Sequence, residues 1–246
     1  MEKVVEDLFS DLTPPKDAYV EVVGDTLHVT KWNWDYEDCE KFQLAANEFV
    51  RKNKKLKVYI FCNHPHVFTL GRGNERGDDS LVDFDTSLSN RLKYPVQKIH
   101  RGGGITFHYP GQWIFYPIVA ITPAYSLDDH MCWILKKVAA VLREDLKIEN
   151  VMTAKKLMGV WKDRKKLASI GVGVKRFVTL HGLALNLVRD EEMFNELKMI
   201  NPCGMDHQTY VSVDQFFDGQ DLLANFHKSF LSKLASETTD ICSTSS

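Results

Sequence analysis

The sequence has no apolar run that approaches the roughly 18 residues needed to cross a membrane. It also lacks a strong charge of either sign, because 31 basic and 33 acidic side chains leave a formal net charge of −2. Neither a membrane partner nor a nucleic-acid partner is therefore expected. The residues up to Asp7 are acidic and lack the apolar core of a signal peptide, so we expect a cytoplasmic protein.

Cysteine is scarce and scattered. The five cysteines are Cys39, Cys62, Cys132, Cys203 and Cys242. Their odd number argues against a disulfide framework, and without a C-x-x-C pair a structural zinc site is not expected. His64 and His66 stand two residues apart beside a proline, but no carboxylate is placed to complete a metal triad. We predict no metal site.

Glycine motifs for nucleotides are also missing. The sequence contains no G-x-x-x-x-G-K-[ST] segment. Residues 71–73 and 171–173 each have two glycines in a G-x-G pattern, but each lacks the third glycine of a dinucleotide-binding turn.

Apolar residues recur at helical or strand spacing along most of the chain. We predict strands at 19–23, 26–30, 58–62 and 114–120, a hairpin of 167–174 with 177–187, and helices at 35–52, 127–146 and 221–234. Asp35 is the predicted N-cap of the first helix, and Ser126 with Asp129 forms a capping box for the second. Pro117 requires an edge position or a bulge in its strand.

Strands and helices mix without strict β-α-β alternation, and no repeat is visible. This pattern favours an α+β (mixed-sheet α/β) single domain over a doubly wound sheet. We predict that the domain covers 19–236, between a loose N-terminal extension at 1–18 and a flexible tail at 237–246. Residues 74–95 are predicted to be a surface excursion.

One candidate binding segment is Arg101–Gln112, which contains three consecutive glycines. Glycines allow the backbone to approach a ligand closely and to present amide donors to a carbonyl or phosphate oxygen. A flexible turn has the same composition, but the flanking Arg101 and His108 favour a site.

A second segment begins at Lys165-Lys166, enters an apolar strand, and is followed across a turn by His181–Ala184. Such a lysine pair is commonly a solvated strand end. A lysine drawn into an apolar cleft would instead have the positive charge that stabilises a thiolate.

The third segment is the loop Asn201–Gly204, which contains Cys203. Cys62 lies in a buried-strand pattern and Cys132 on a helix, as is typical of inert core cysteines. A loop cysteine can be reached by substrate, so Cys203 is the best nucleophile candidate.

Together the segments resemble one family, the lipoyl(octanoyl) transferases of the biotin and lipoate protein ligase superfamily. The matching stretches, in the family's order across about residues 57–215, are His64–Gly71, Arg101–Gln112, Met158–Trp161, Lys166–Gly171, His181–Asn186 and Pro202–Gly204. Two positions depart from the family pattern. Tyr109 stands where glycine is usual and adds bulk beside the expected pocket, and Gly104 stands where an acidic or polar residue is common.

The resemblance implies a biotin/lipoate protein ligase-like catalytic fold. It also implies an acyltransferase of lipoate biosynthesis that moves octanoyl from acyl carrier protein to a lysine of lipoyl domains. The acceptors would be the lipoyl domains of 2-oxoacid dehydrogenases and the glycine cleavage H protein. The enzyme would act as a monomer, without ATP, metal or another cofactor.

The resemblance also assigns roles. Cys203 would hold the acyl group as a thioester intermediate, and Lys166 would lower the pKa of its thiol. The residues expected to contact the acyl group are Arg101, Gly102, Gly103, Gly104, Ile105, Thr106, Phe107, His108, Ser169, Ile170, Gly171, His181, Gly182, Leu183 and Ala184.

Two other functions stay open. An ATP-dependent lipoate- or biotin-type ligase also uses a glycine-rich loop and a strand-opening lysine, but it needs no cysteine nucleophile, so Cys203 favours the transferase. An inactive module that binds acyl groups or lipoyl domains would show loss of Cys203 or Lys166, and both are present.

Overall fold

The computed structural model describes residues 8–72, 92–154, 158–198 and 207–236. Within these ranges no helix has both the length and the apolar character that a membrane crossing requires. The strands, in chain order, are β1 (Tyr19–Val23), β2 (Thr26–Lys31), β3 (Lys57–Cys62), β4 (Val67–Leu70), β5 (Val96–Lys98), β6 (Ile105–His108), β7 (Gln112–Ile118), β8 (Val151–Ala154), β9 (Gly159–Lys162), β10 (Lys165–Lys175) and β11 (Val178–Asn186).

These strands form a large and a small sheet. The large sheet has the order β1-β2-β3-β7-β11-β10-β9-β8, and the small sheet has the order β5-β4-β6. In the large sheet β2 and β3 are parallel, whereas the neighbouring pairs on either side are antiparallel. The small sheet also combines a parallel and an antiparallel pair. The predicted mixed-sheet α+β class is therefore confirmed.

The described helices are α1 (Tyr36–Lys52), α2 (Leu127–Ala140), α3 (Glu191–Leu197) and α4 (Leu222–Ser236), and α2 continues into a π-helical turn, Val141–Asp145. Both predicted N-caps are confirmed. The Asp35 side chain accepts a hydrogen bond from the Asp38 amide, and Ser126 with Asp129 forms a reciprocal capping box. The caps satisfy amide groups that a helix start leaves without intrahelical partners.

The helices cover the large sheet on two faces. One core packs α1, through Ala46 and Val50, against Ile60 and Ile114 of the sheet. The other packs α2 and α4 against the opposite face, where the ring of Phe230 lies 4.7 Å from that of Trp113. Because side chains alternate along a strand, adjacent residues such as Trp113 and Ile114 supply opposite cores.

The N-terminal segment differs from the loose extension that was predicted. Over its described part, Phe9 and Leu12 are buried in the core beneath α1, and the Phe9 ring stacks 5.4 Å from that of Phe49. Two large apolar side chains removed from water hold this segment against the domain. The domain limits themselves stay predictions, and residues 237–246 lie outside the described ranges.

Pro117 lies in the interior strand β7 and not at a sheet edge. Continuous pairing of β7 with β11 ends at Phe115–Leu183, and a bridge resumes it at Ala120 and Val178 without a change of register. Proline has no amide hydrogen to donate, so the ladder is interrupted rather than bulged. In the gap, the Thr179 hydroxyl donates to the Pro117 carbonyl oxygen at 2.7 Å.

Candidate active site

A cleft opens between the β10–β11 hairpin, the small sheet and the start of α1. The space between the atoms that line it, including space open to solvent, is about 560 Å³. None of the residues that the structure describes along it is a carboxylate. They are Tyr36, Arg101, Gly103, Gly104, Thr106, His108, Tyr116, Met158, Lys166, Ser169, Ile170, Gly171, His181, Gly182, Leu183 and Ala184.

One wall of the cleft is the β10–β11 hairpin. Ser169–Gly171 pairs in antiparallel register with Gly182–Ala184, so two segments expected at the site lie side by side. A Cβ on Gly182 would lie 2.2 Å from the carbonyl oxygen of Phe115. Glycine is therefore required at this position of β11, next to β7.

The opposite wall is the glycine loop, which lies directly against the two sheets. The Gly102 amide donates to the Val172 carbonyl oxygen at 3.2 Å. A Cβ on Gly71 would lie 2.4 Å from the Gly103 carbonyl oxygen, and one on Gly171 would lie 2.9 Å from that of Gly102. The loop reaches this position because the strands beneath it also carry glycine.

Arg101 fixes the base of the loop and is only 8% exposed. Its Nη2 donates to the Thr69 carbonyl oxygen at 3.0 Å, to the Thr69 hydroxyl at 2.9 Å and to the Thr106 hydroxyl at 2.8 Å. Its Nη1 donates to the Gly102 carbonyl oxygen at 3.0 Å. These bonds hold the guanidinium charge at the cleft wall.

A buried chain of hydrogen bonds continues from Thr69 through His108. Thr69 Oγ1 lies 3.2 Å from His108 Nε2, and His108 Nδ1 lies 2.9 Å from Gln112 Oε1. Gln112 Nε2 donates to Asn186 Oδ1 at 3.0 Å, and Asn186 Nδ2 donates to the Val211 carbonyl oxygen at 3.3 Å. The amide oxygen of Gln112 only accepts, so Nδ1 of His108 carries the proton and Nε2 accepts from Thr69.

Lys166 is 1% exposed and is one of the residues that line the cleft. Its Nζ is 5.5 Å from the centroid of the Trp161 ring and 5.7 Å from that of Tyr210, within the range of cation–π attraction. Its neighbour Lys165 is exposed instead, and donates to the Gln208 carbonyl oxygen at 2.8 Å. Of the two adjacent lysines, Lys166 is therefore the one presented to the cleft.

His181 has an unusual backbone for a residue within a strand, with φ of 60°. Its amide donates to the buried Gln43 side chain at 2.9 Å, and its Nδ1 lies 3.5 Å from the Tyr36 hydroxyl. A non-glycine residue at positive φ costs energy and persists only where its surroundings hold it. Gln43 and Tyr36 of α1 supply that support.

Both cleft histidines are neutral near pH 7. Burial, together with a smaller contribution from the Arg101 charge, lowers the pKa of His181 to about 3. Burial also lowers the pKa of His108 well below its ordinary value, with smaller contributions from His64 and Arg101. The cleft therefore combines two cations, two neutral imidazoles and apolar surface, which suits an apolar chain with an electron-rich head group.

Most residues expected to contact the acyl group line this cleft, but three do not. Gly102 bonds to β10, whereas Ile105 and Phe107 point into the apolar core of the small sheet. Alternation along β6 explains the split, since Thr106 and His108 face the cleft. Cys203 lies outside the described residues.

The expectation that Tyr109 adds bulk beside the pocket is wrong. Its side chain is fully buried in the core of the small sheet, and its ring stacks 6.4 Å from that of Phe107. Tyr109 stands two positions after Phe107, which is the spacing of side chains on one face of an extended segment. Gly104, the other departure from the family pattern, does line the cleft.

Three lining residues, Tyr36, Tyr116 and Met158, were not predicted as site residues. Tyr36 fits the apolar stripe of α1, and Tyr116 lies in a continuous apolar strand, so neither had a separate signal in the sequence. Met158 is the first residue of the family-like stretch Met158–Trp161, but no contact with the acyl group was predicted for it, and its positive φ of 47° marks an irregular backbone that no local pattern indicates.

The fold and the cleft match one class of catalytic domain. The family model of the lipoyl protein ligase A/B catalytic domain matches residues 35–235. A solved bipartite lipoate protein ligase from Thermoplasma acidophilum superposes with a TM-score of 0.60 at 11% identity, covering 89% of this chain and 84% of that one. At this identity the likeness shows the fold alone, which is the biotin/lipoate protein ligase-like fold that was predicted.

Sequence relatives define the group more narrowly. An octanoyltransferase of Geotalea uraniireducens is 33% identical over 173 residues, which is 70% of this chain and 73% of that protein. An octanoyltransferase of Nostoc punctiforme is 32% identical over 187 residues, or 75% and 76% of the two chains. The chain therefore belongs to the octanoyltransferases, acyl-transferring enzymes of the lipoyl protein ligase A/B catalytic domain family.

Proposed function

We propose that this enzyme transfers an octanoyl group from octanoyl-acyl carrier protein to a lysine of a lipoyl domain, through a thioester on Cys203. The observation that carries the proposal is the buried Lys166, which lines the cleft together with glycine, apolar and polar residues. Its relatives are named octanoyltransferases. A nearby positive charge lowers the pKa of a thiol and so stabilises the thiolate nucleophile.

Connections within the described residues support this pairing of Lys166 with Cys203. The Val211 amide donates to the Lys166 carbonyl oxygen at 3.1 Å, and Tyr210 forms a parallel bridge with Lys166. Cys203 stands seven residues before Tyr210 in the sequence. Seven residues span at most about 25 Å, so the chain is long enough for Cys203 to reach the Lys166 end of the cleft.

The chemistry takes two balanced steps. The Cys203 thiolate attacks the carbonyl carbon of the carrier thioester, a new C–S bond forms, and the carrier leaves as a thiolate. The neutral amine of the acceptor lysine then attacks the acyl-enzyme and gives one proton to water. The C–N bond of the amide forms as the C–S bond breaks, which releases the Cys203 thiolate. The first step replaces one thioester with another, so its free energy changes little. The second step replaces a thioester with a more stable amide and is therefore favourable.

Different residues of the cleft would have different roles in this reaction. The apolar side chains of Ile170 and Leu183 would face the acyl chain, and the Lys166 ammonium would stabilise the thiolate. Backbone amides would bind the developing oxyanion. The Gly102 amide is occupied by Val172, so Gly103 and Gly104 are the better donors on this loop.

The acceptor class follows from the same family. The related Thermoplasma ligase is described with its E2 lipoyl domain. We extend this class of acceptor to the lipoyl domains of 2-oxoacid dehydrogenases and to the glycine cleavage H protein. We further propose a monomer that acts in the cytoplasm without ATP or a metal in the transfer, with 19–236 as its catalytic domain.

Intact-mass measurement after incubation with octanoyl-acyl carrier protein tests the mechanism. The wild-type chain should gain one octanoyl group that hydroxylamine removes, and a lipoyl domain added next should take that group up. Cys203→Ser should not form the hydroxylamine-labile adduct, whereas Cys132→Ser, altered at a cysteine on α2, should form it normally. Absence of any adduct on the wild-type chain would refute the thioester route.

A parallel incubation separates the ligase alternative. Free octanoate with ATP replaces the acylated carrier, and the lipoyl domain is again the acceptor. The transferase should modify the domain only from the carrier. Modification that requires ATP would instead assign the chain to the activating ligases.

A further inference from the structure

Behind the cleft wall, three potential ligands meet in the core. Cys39 lies in the first turns of α1, Cys62 ends β3, and His64 follows two residues later. Two sulfur atoms and one ring nitrogen from these residues all lie within 4.8 Å of one another, and the three side chains are fully buried. We propose that this cluster is a structural binding site for a thiophilic divalent cation, with Zn²⁺ as the natural occupant.

The orientation of His64 supports a ligand role. Its Nδ1 lies 2.6 Å from the Trp34 carbonyl oxygen, which can only accept, so Nδ1 carries the proton. The lone pair is therefore on Nε2, which lies 3.8 Å from the Cys62 sulfur. Histidine ligands to metals are typically held in this way, with the second ring N–H donated to a carbonyl or carboxylate.

The spacing also suits a metal. With Zn–S near 2.3 Å and Zn–N near 2.0 Å, tetrahedral geometry separates a sulfur and a nitrogen ligand by about 3.5 Å and two sulfurs by about 3.8 Å. The 3.8 Å between Cys62 and His64 is close to the first value. The 4.8 Å limit on all three separations leaves about 1 Å of contraction for the sulfur pair.

Charge balance selects the cation. Binding converts two thiols into thiolates and releases two protons, so Zn²⁺ with two thiolates and one neutral imidazole carries no net charge. A neutral complex avoids the large cost of an isolated ion in a dry core. Cu⁺ in the same ligands would leave one negative charge, and hard cations such as Mg²⁺ prefer oxygen.

Tyr116 completes the surroundings. Its hydroxyl lies 3.2 Å from His64 Nε2, within reach of the remaining coordination position. Tyr116 also lines the cleft, as does Tyr36, whose ring contacts that of His64 at 4.9 Å. A metal here would tie the start of α1 to the end of β3, immediately behind the cleft.

Refolding the full-length chain with reductant and Co²⁺ tests the site, because the buried cluster is most open to metal before folding completes. The wild-type chain should retain one Co²⁺ after desalting and show a thiolate-to-cobalt charge-transfer band. Zn²⁺ should displace Co²⁺ and raise the Tm by about 5–10 °C at a hundredfold excess over its Kd. No retained metal and no band would overturn the proposal.

Variants assign the ligands. Cys39→Ser and Cys62→Ser should each weaken Zn²⁺ binding by at least about 100-fold, since loss of a mere supporting contact costs 10–100-fold. Cys132→Ser and Cys203→Ser should keep the cobalt band. A band that survives in both ligand variants, or that disappears in Cys203→Ser, would assign the metal elsewhere.

A measurement on the unaltered chain covers the case in which the serine variants do not fold. X-ray absorption of the zinc-loaded protein should show sulfur neighbours at about 2.3 Å together with nitrogen or oxygen at about 2.0 Å. A spectrum with nitrogen and oxygen neighbours alone would overturn the assignment. Refolding in weak buffer should also release two protons per Zn²⁺ bound.

Discussion

Gly159 leaves the space through which the side chain of Lys166 passes. A Cβ built on Gly159 would lie 2.8 Å from Cε of Lys166 and 2.2 Å from the carbonyl oxygen of Ala168. The pairing of β9 with β10 shifts register between Lys166 and Ala168, where this contact occurs. The position of the buried lysine thus depends on a missing side chain in the neighbouring strand.

Gly159→Ala should therefore displace Lys166 and destabilise the fold. The contact with a backbone oxygen cannot be relieved by a rotamer change, so we expect a loss of about 1–3 kcal/mol, as for other overpacked sites. Chemical denaturation measures the stability, and octanoyl transfer measures the displacement. Gly102→Ala is the matched stability control, since its Cβ would meet only the Val172 oxygen at 3.6 Å. Equal stability of the two variants would contradict the steric argument.

Lys166→Met should slow both half-reactions while the chain stays folded. Methionine keeps the apolar length of lysine but removes the positive charge, so the Cys203 thiol should lose its stabilised thiolate. We expect acyl-enzyme formation to fall by about 100-fold or more. Lys165→Met, which alters the exposed neighbour, should retain most of the activity.

The pH dependence of alkylation separates this electrostatic role from a packing role. Mass spectrometry of the Cys203 peptide after treatment with iodoacetamide gives the alkylation rate. The midpoint of its pH profile should move upward in Lys166→Met and not in Lys165→Met. Superimposable profiles would show that Lys166 does not act on the thiol pKa.

Individual elements of the site could be predicted from local sequence patterns, but their assembly into one cleft could not. The β10–β11 hairpin was predicted from its apolar runs, and its register then brings Ser169–Gly171 beside Gly182–Ala184. The contribution of Tyr36 was not predictable, because only the packing of α1 on the sheet brings it to the cleft. Strands β8 and β9 were also missed, since each has four residues and carries too little periodicity.

The metal cluster illustrates the same limit. Cys39 and Cys62 are 23 positions apart and lie on a helix and a strand, so no spacing rule for metal ligands connects them. The sequence context of Cys62 predicted an inert core residue, and no separate role was predicted for Cys39. Only the parallel pairing of β2 with β3, with α1 as the connection between them, brings both sulfurs beside His64.

Thr69→Val should interrupt the hydrogen-bond chain that joins Arg101 to His108. Valine has nearly the same shape as threonine, but it removes one of several buried hydrogen-bond partners of the Arg101 guanidinium and the partner of Nε2 on the His108 ring. We expect a loss of about 1–3 kcal/mol in the free energy of unfolding, together with a lower kcat/KM. The change in kcat/KM reports on the cleft, because both residues line it.

Thr122→Val is the control for this substitution. Its hydroxyl accepts a hydrogen bond from the Tyr125 amide at an exposed turn, where water replaces the lost group. The stability of this variant should stay within about 0.5 kcal/mol of wild type. A similar cost at both positions would show that the buried chain adds nothing beyond a single surface contact.

Acid should destabilise the protein before its carboxylates titrate. Burial lowers the pKa of His28, His130 and His227 to about 4 and that of His181 to about 3. The ordinary pKa of histidine is 6.5, so below this pH these rings bind protons in the unfolded chain but stay neutral in the folded protein. Stability is therefore fully present above pH 6.5 and is lost as the pH falls toward 4, by up to about 1.4 kcal/mol per pH unit for each histidine.

Denaturation midpoints between pH 7 and pH 5 measure this loss. In this range the pH lies above the ordinary pKa of Glu48 and similar exposed carboxylates, so they stay mostly ionised in the unfolded chain too and contribute little. His130→Gln should reduce the slope by about one proton, because it removes one histidine that titrates only in the unfolded chain. His130 lies at α2, outside the cleft lining, so the effect should appear in stability without a change in acyl transfer. An unchanged slope in His130→Gln would show that this ring is protonated in the folded protein as readily as in the unfolded chain.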